Sequence, residues 1–333
     1  MVSLRIGENE SGQRLDKFLR KYFKEAPGSF LYKMLRKKNI TCNGKKADGR
    51  EILCIGDEIQ LFLADETVKK FGGRLSVEEN QQWDTDEQKV FLEAYHRLGE
   101  LEVVFENEHL LVVNKPSGIL TQKAKSEDIS LNEWLLGYLI SQKALSKAQL
   151  HTFRPSVCNR LDRNTSGLVV CGKTLAGSQQ MGELLKNRTL HKYYYTYVKG
   201  QVTESGRLEG YWRKDEKINR SLLVEKDQGA AYVATEYRPL KVFTDRTLLE
   251  VKLITGKSHQ IRLQLSAAGH PLLGDYKYGD PKFNDKYKKK FQISSHLLHA
   301  CRLEFPPMDG VLAALSGMIV EAGVPKTFLI LRE

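Results

Sequence analysis

Two short amphipathic helices followed by short strands are predicted in the first 63 residues. One helical face between residues 11 and 24 collects the apolar side chains Leu15, Phe18, Leu19 and Tyr22. Ser11 is the predicted N-cap of this helix. After the Pro27-Gly28 break, a second helix ends in the basic run Arg36-Lys37-Lys38. Segment 40–63 alternates apolar residues with Asn-Gly, Asp-Gly and Gly-Asp turns, which predicts short strands.

The pattern changes near residue 100. Residues 101–122, LEVVFENEHLLVVNKPSGILTQ, predict two strands joined by a tight turn and followed by a loop. A helix over 130–140 is predicted from the capping box of Ser130 and Glu133. Further strands are predicted at 168–172, 193–199, 231–237 and 247–254. Strands with helices between them predict the α+β class, with a mixed, mainly antiparallel central sheet.

The charge is unevenly distributed and points to an anionic partner. The chain has a net charge of +11, and residues 1–50 hold 13 Lys and Arg against 5 Asp and Glu. The stretch 76–93 is acidic instead. We therefore expect a small basic domain at 1–63, an acidic linker at 64–99 and a larger domain at 100–333. A basic protein of this kind suits nucleic acid or a membrane surface.

Cysteine usage and hydropathy predict the compartment. The five cysteines are dispersed and form no CxxC pair, which is typical of reduced thiols in the cytoplasm. The N-terminus has no apolar core of a signal peptide, and no window approaches the length of a membrane span. We expect a cytoplasmic protein without a membrane partner, monomeric by default.

The segment from Gly167 to Thr174 matches the phosphate-binding pattern GxxxxGK[ST] by letter only. Its four middle residues are Leu168, Val169, Val170 and Cys171. Such an apolar, β-branched run favours a buried strand, whose N–H groups pair with neighbouring strands instead of turning toward phosphate. The sequence therefore argues against a nucleotide triphosphatase.

The tripeptide Arg-Leu-Asp occurs twice in different settings. Arg14-Leu15-Asp16 lies on the first basic helix, where Leu15 is predicted core and Asp16 offsets its positive neighbours. Arg160-Leu161-Asp162 precedes the turn cluster 164–167, which leads into the strand at 168–172. A carboxylate on a loop held by a rigid strand is a common catalytic placement. Locally, a structural role for Asp162 in capping the turn is equally compatible with the sequence.

Two later segments carry further candidate chemistry. In the strand 191–200, Lys192 and Tyr194 fall on one face, while Tyr193, Tyr195 and Tyr197 fall on the other. An aromatic side chain on the face away from the core can stack on a base. The segment 254–279 predicts a loop, a helix with Arg262 beside its apolar face, and two turns.

Together these blocks resemble the RluA family of RNA pseudouridine synthases. The resemblance rests on 159–173, 192–200 and 255–279, with 112–122 and 297–305 as further blocks in the right order. Residues 12–63 also resemble the S4 RNA-binding domain (αL-type). Two positions depart from the family pattern: Asn159 replaces the usual His before Arg-Leu-Asp, and Pro306-Pro307 replaces the usual His-Pro.

The resemblance implies isomerisation of uridine to pseudouridine in structured RNA. It assigns Asp162 as the catalytic carboxylate, Arg262 as its cationic partner, and Tyr194 as the aromatic side chain that stacks on the flipped uracil and transfers a proton at C5. It also implies RNA contacts from Arg160 and a pocket position for Leu263. RNA contacts in the S4-like domain are expected from Arg14, Lys17, Arg36, Lys37 and Lys38.

The reaction neither hydrolyses nor oxidises the substrate, so we expect no cofactor and no metal. The pair His296 and His299 is interpreted as structural. The lysine-rich segment 278–291 is interpreted as a long loop that either grips RNA backbone or is merely solvated. Large-subunit (23S) ribosomal RNA is the favoured substrate, and transfer RNA is the alternative.

Two other classes of function stay open at this point. A non-catalytic RNA-binding or ribosome-assembly protein would not require Asp162, Tyr194 and Arg262 together. A glycosidase-like hydrolase would need a second acid beside Asp162.

Overall fold

The computed structural model describes residues 1–7, 10–73, 85–145, 150, 153–215, 220–227 and 229–332, with the backbone alone for 85–87. The described chain contains two β-sheets. One has four strands and lies near the N-terminus, and the other has eleven strands.

The N-terminal unit combines a small antiparallel sheet with two helices. Its strands β1 (Val2–Arg5), β2 (Ile40–Cys42), β3 (Lys45–Lys46) and β4 (Glu58–Leu61) are arranged in the order β1-β4-β2-β3. Helices α1 (Leu15–Tyr22) and α2 (Gly28–Arg36) pack their apolar faces on it. The predicted N-cap Ser11 is wrong, because α1 begins only at Leu15 and Arg14 occupies the cap position. The preceding Gly12 has φ +78°, outside the helical region.

Two helices lie within the range predicted as a linker. Helix α3 (Asp65–Lys70) buries Val68 against the N-terminal core. Helix α4 (Thr85–Leu98) buries Phe91 in the core of the second unit, where Trp134 also lies. Packing of the second unit therefore begins before residue 100. Residues 74–84 of the predicted linker, which include the first half of the acidic stretch 76–93, lie outside the described residues.

The large sheet is mixed and mainly antiparallel, as predicted. Its main strand order is β11-β10-β12-β13-β9-β14-β8-β6-β5, and β7 and β15 pair with β8 and β14. Among the described strands, only β8 and β14 run parallel to each other. The strands are β5 (Glu102–Glu106), β6 (Leu110–Lys115), β7 (Ser156–Val157), β8 (Ser166–Gly172), β9 (His191–Lys199), β10 (Gly206–Asp215), β11 (Arg220–Val224), β12 (Ala231–Val242), β13 (Arg246–Leu253), β14 (Leu298–Glu304) and β15 (Ile319–Glu321).

Helices cover both faces of this sheet. They are α5 (Leu131–Ser141), α6 (Leu175–Asn187), α7 (Gln260–Ala267), α8 (Pro281–Phe291) and α9 (Lys326–Leu329), with a 3₁₀-helix at Gly310–Leu315. Val169 and Tyr194 join the core under α5 and α7, while Leu168 and Val170 join the core on the opposite face. The buried-strand prediction for 168–172 is thus confirmed, because β8 is buried along its whole length.

Local capping explains where two of the helices begin. Ser130 caps α5 by accepting from the Asn132 N–H, and its hydroxyl donates to the Glu133 carboxylate at 2.6 Å. The predicted loop at 278–291 is wrong for most of its length, since α8 occupies it. Asp280 caps this helix by accepting from the Phe283 N–H, and Pro281 fits its first turn.

In the described part of the chain, every helix is too short or too polar to cross a bilayer.

Candidate active site

A cleft of about 840 Å³ opens where the loop before β8 meets the loop before α7. Asp162 and Arg160 line it from the first loop, and His259 and Arg262 line it from the second loop and α7. Tyr194 contributes from the middle of β9. The cleft therefore gathers the three residues predicted as catalytic, although they are separated by up to 100 positions in the chain.

The Asp162 loop is fixed at both ends by hydrogen bonds to its backbone. The Thr121 hydroxyl donates to the Leu161 carbonyl at 2.8 Å and accepts from the Leu161 N–H at 3.2 Å. Beyond Asp162, the Thr165 N–H donates to the Asp162 carbonyl at 3.1 Å, which closes a turn. Asn159 anchors the start of the loop, because its Oδ1 accepts from the Val170 N–H at 2.7 Å. This unusual family position thus ties the loop to β8.

A buried lysine supports the same loop from below. The Lys115 side chain is fully buried at the end of β6. Its Nζ donates to the carbonyls of Pro116, Ile119 and Arg163 at 2.9, 2.9 and 3.1 Å. Burial lowers the pKa of Lys115 to about 7, against the opposing effect of the Asp162 charge. Lys115 holds the segment after β6 and the Asp162 loop together.

The Asp162 carboxylate faces a guanidinium that is itself held rigidly. Arg262 Nη1 donates to Asp162 Oδ2 at 3.1 Å. On its other edge, Arg262 binds Asp275 through two hydrogen bonds, Nε to Oδ2 at 2.7 Å and Nη2 to Oδ1 at 2.9 Å. Arg262 and Asp275 are buried, whereas the Asp162 side chain is 28% exposed in the cleft. The Arg262 guanidinium, fixed by Asp275, thus presents its free edge to the partly exposed Asp162 carboxylate.

Charge and burial set the ionisation of this pair. Burial alone would lower the pKa of Arg262, but its contacts with Asp275 and Asp162 outweigh it and raise the pKa. Burial alone would raise the pKa of Asp275, but the Arg262 guanidinium holds that pKa below its usual value. Arg262 is therefore charged and its bond to Asp275 is an ion pair.

Tyr194 and Lys192 both line the cleft from β9, which agrees with the shared face predicted from strand alternation, although Tyr194 also belongs to the core. Tyr194 is 6% exposed and belongs to the same core as Val251 and Ala300, its neighbours across the strands. Burial, followed by the nearby Asp162 charge, raises the pKa of Tyr194 well above the usual value. The phenol therefore stays protonated at neutral pH.

His259 approaches Asp162 from the residue that precedes α7. Its Nε2 lies 3.7 Å from Asp162 Oδ2, and its Nδ1 lies 2.9 Å from the Tyr278 hydroxyl. The Tyr278 hydroxyl also accepts from the Ser221 N–H at 2.9 Å. Burial lowers the pKa of His259, more than the Asp162 charge raises it.

A second acid beside Asp162 is required for the glycosidase alternative. In the described site Asp275 is the candidate for this second acid, since Asp162 and Asp275 both bind Arg262. It is 1% exposed, and it also accepts from the N–H groups of Lys277 and Tyr278. An ionised carboxylate behind the guanidinium cannot act as a general acid at the cleft surface.

Comparisons with known proteins agree with this geometry. Residues 109–267 match the family model of RNA pseudouridylate synthase. The chain is 30% identical over 308 residues to the ribosomal large subunit pseudouridine synthase C of Pasteurella multocida, covering 91% of this chain and 85% of the relative. It is 28% identical over 302 residues to the protein of the same name from Vibrio cholerae, covering 90% of this chain and 87% of the relative.

The fold has a solved counterpart. The structure of human RNA pseudouridylate synthase domain containing 4 superposes with a TM-score of 0.55, at 22% identity, covering 74% of this chain and 95% of the human chain.

The chain belongs to the RluA family of RNA pseudouridine synthases. As a pseudouridine synthase it is an isomerase that acts on RNA. The matched region, 109–267, contains Asp162, Tyr194 and Arg262. The family prediction made from the sequence is therefore confirmed, while the roles of individual residues remain predictions.

The other predicted site residues of this pseudouridine synthase differ in exposure and in whether they line the cleft. Arg160 lines the cleft and is exposed. Leu263, predicted to line the pocket, is half-buried on α7 and is not among the residues that line this cleft. In the N-terminal unit, Lys17, Arg36, Lys37 and Lys38 are exposed. Arg14 is half-buried and makes two hydrogen bonds to the Asp16 carboxylate.

Two histidines, His296 just before β14 and His299 on it, contact buried hydroxyl groups. His296 Nε2 lies 2.9 Å from Thr165 Oγ1, and His299 Nδ1 lies 2.9 Å from Ser166 Oγ. Burial lowers the pKa of each histidine to about 4. They tie β14 to the segment that follows the Asp162 loop.

Sequence reasoning missed Lys115, Thr121, His259, Asp275 and Tyr278. All five lie within or beside the sequence blocks of the resemblance, 112–122 and 255–279. A lysine at the end of an apolar strand and an Asp directly after a Gly turn are signals for some of these residues. Their partners, however, depend on contacts between distant segments.

Proposed function

We propose that Asp162 is the catalytic carboxylate of this pseudouridine synthase and acts at the ribose of a flipped-out uridine in ribosomal RNA. The observation that supports this most is the contact of Arg262 Nη1 with Asp162 Oδ2 at 3.1 Å inside the cleft. The fixed guanidinium orients one carboxylate oxygen, and partial exposure leaves the carboxylate accessible to substrate.

The reaction rearranges one molecule without loss of atoms. The C1′–N1 bond breaks, the uracil turns, and C5 bonds to C1′. The hydrogen on C5 then leaves as a proton, and N1 gains one. An ionised Asp162 serves either of two routes, attack on C1′ or removal of the C2′ proton.

Tyr194 is proposed to support the uracil while it turns. Its position on the cleft face of β9 suits stacking against a base. Burial and the Asp162 charge keep its phenol protonated, which disfavours a resting phenolate base. Proton transfer from C5 through Tyr194 would require its own proton to leave in the same step.

Five cationic residues of the cleft are proposed to bind RNA backbone. They are Arg160, Arg163, Arg188, Lys192 and Lys257. Burial and the charge of Arg188 lower the pKa of Lys192, which indicates that two cations crowd one wall of the cleft. A phosphate group would relieve this repulsion. The exposed basic residues of the N-terminal S4-like unit, Lys17 and the run 36–38, are proposed to extend the contact.

Large-subunit (23S) ribosomal RNA is the proposed substrate because both curated relatives reported above carry a ribosomal large subunit name. Transfer RNA is the alternative. Purified wild-type protein, Asp162→Asn and Asp16→Asn are incubated with 23S transcripts or with tRNA, and pseudouridine is mapped by carbodiimide modification and primer extension.

Wild type and Asp16→Asn should modify defined 23S positions, while Asp162→Asn should leave them as uridine. Asp16 is the matched control, since it occupies the other Arg-Leu-Asp copy and pairs with Arg14. Modification of tRNA alone would replace the substrate assignment. Full activity of Asp162→Asn would remove the role of Asp162.

A further inference from the structure

We propose that His259 is a positioning residue for Asp162, held in one tautomer by the hydroxyl of Tyr278. This inference rests on the proposed role of Asp162. The chain of contacts runs from the Ser221 N–H to the Tyr278 hydroxyl at 2.9 Å, then to His259 Nδ1 at 2.9 Å. From His259 Nε2 it continues to Asp162 Oδ2 at 3.7 Å.

The two ends of this chain set its donor and acceptor roles. At one end a backbone N–H can only donate, so the Tyr278 oxygen accepts from Ser221. At the other end an unprotonated Nε2 would direct its lone pair at the Asp162 carboxylate, so the neutral imidazole carries its single proton on Nε2. His259 Nδ1 is then the acceptor for the Tyr278 hydroxyl. The structure thus assigns an Nε2–H group that faces the Asp162 carboxylate.

The backbone holds His259 in place for this contact. His259 has φ 56°, in the left-handed region, and directly precedes α7. Such a conformation is unfavourable for a residue with a Cβ and is found where surrounding contacts enforce it. The Ser221 hydroxyl supplies one such contact by donating to the carbonyl of Ser258, the residue before His259, at 2.8 Å.

Strand β11 supplies the fixed end of this chain of contacts. Besides Ser221, its Arg220 donates to the Lys277 carbonyl at 2.7 Å and lies over the Tyr278 ring at 5.1 Å. These contacts hold the segment around Tyr278 against strand β11. Strand β11, at the edge of the large sheet, is thus connected to Asp162 through Tyr278 and His259.

Groups of both signs surround His259, and their combination favours the neutral ring. Asp162 and Asp275 are the nearby acids, while Arg262 and Lys277 are the nearby cations. Burial is the largest influence and disfavours the imidazolium. Arg262 thus supplies the positive charge for Asp162, and His259 places a neutral ring edge 3.7 Å from the same carboxylate oxygen, where it limits the directions that the carboxylate can take.

The test separates orientation of Asp162 from RNA binding and from folding. Single-turnover release of tritium from RNA labelled at uridine C5 reports the reaction, and filter binding reports RNA affinity. Tyr278→Phe removes only the hydroxyl and should slow the reaction about tenfold at saturating RNA, with the Kd for RNA unchanged within about twofold.

Two substitutions of His259 distinguish its nitrogens. In His259→Gln the amide N–H can reach the place of Nε2, whereas in His259→Asn the amide reaches only the place of Nδ1. The Gln variant should therefore keep several times more activity than the Asn variant. Equal rates for the two variants, or a faster Asn variant, would overturn the proposal.

The tautomer is measured directly by ¹⁵N NMR of histidine-labelled protein at neutral pH. Wild type should show His259 protonated at Nε2, and Tyr278→Phe should lose that preference. Tyr287→Phe is the matched control, since it removes a buried hydroxyl bound to Asp245, away from the cleft. Its thermal unfolding should change as much as that of Tyr278→Phe, without a change in rate.

An Nδ1–H tautomer in wild type would contradict the proposal independently of activity. If Asp162→Asn abolishes the reaction but Tyr278→Phe reacts at the wild-type rate, the positioning role fails alone. If Asp162→Asn is active, the proposed function fails first.

Discussion

The ammonium group of Lys115 donates to the carbonyl of Arg163 at 3.1 Å, one residue after Asp162. Two further carbonyls, of Pro116 and Ile119, accept its other protons. The Thr121 hydroxyl bonds the Leu161 backbone on the other side of Asp162. The segment after β6 therefore fixes the candidate carboxylate from both sides through backbone contacts, without touching the carboxylate itself.

The stability conferred by Lys115 should depend on pH above neutrality. The pKa of this lysine is about 7 in the folded protein, against 10.5 ordinarily. Between these values the unfolded chain binds more protons, so the free energy of unfolding rises with pH. Relative to Lys115→Met, wild type should gain up to about 1.4 kcal/mol per pH unit between pH 7 and 9. Urea denaturation followed by tryptophan fluorescence measures this difference.

An exposed lysine provides the control. Lys289→Met removes a lysine from the exposed face of α8. Its stability difference from wild type should stay level between pH 7 and 9. A level difference for Lys115→Met as well would show that its pKa is not lowered in the folded protein.

Replacing the buried partner of Arg262 should affect both folding and reaction. Asp275→Asn keeps the shape of the side chain but removes its charge, which leaves Arg262 with only one of its two carboxylates. Breaking a buried ion pair costs about 3–5 kcal/mol. The free energy of unfolding should fall by this amount, and the single-turnover rate should fall at least about tenfold.

The control for this substitution is Asp280→Asn, five residues later in the chain. Asp280 caps α8 and binds Lys199, and it is more exposed than Asp275. Asn is also a good N-cap, so stability should fall by about 1 kcal/mol or less. If Asp275→Asn behaved like Asp280→Asn in both assays, the buried pair would not be needed to hold Arg262.

Much of the fold was predictable from local pattern. The strand β8 and the helices α5 and α7 follow from apolar runs, a capping serine and helical spacing. The helix α8 was not predicted, because its many lysines suggested a solvated loop. Its apolar face, Phe283, Tyr287 and Phe291, still has helical spacing, and Asp280-Pro281 is a start signal.

The candidate site was predictable only in part. Asp162, Tyr194 and Arg262 came from a resemblance to a family, and strand alternation agreed on the face of Tyr194. The contacts of Lys115, Asp275 and His259 could not be predicted, because each partner lies on another segment or depends on backbone geometry. The left-handed conformation of His259 is one example, since a histidine before a helix gives no signal of it.

The two cations on one wall of the cleft should contribute to the salt dependence of RNA binding. Among the described residues, Arg188 and Lys192 form no ion pair, and both line the cleft that contains Tyr194. Each phosphate contact contributes about 0.7–0.9 to the slope of log affinity against log salt concentration. Arg188→Gln with Lys192→Gln should therefore reduce that slope by about 1–2, measured by filter binding of a 23S transcript. Lys289→Gln with Lys290→Gln on α8 removes the same number of charges and should leave the slope as it is. An unchanged slope in the double variant would show that neither cation contacts the backbone of bound RNA.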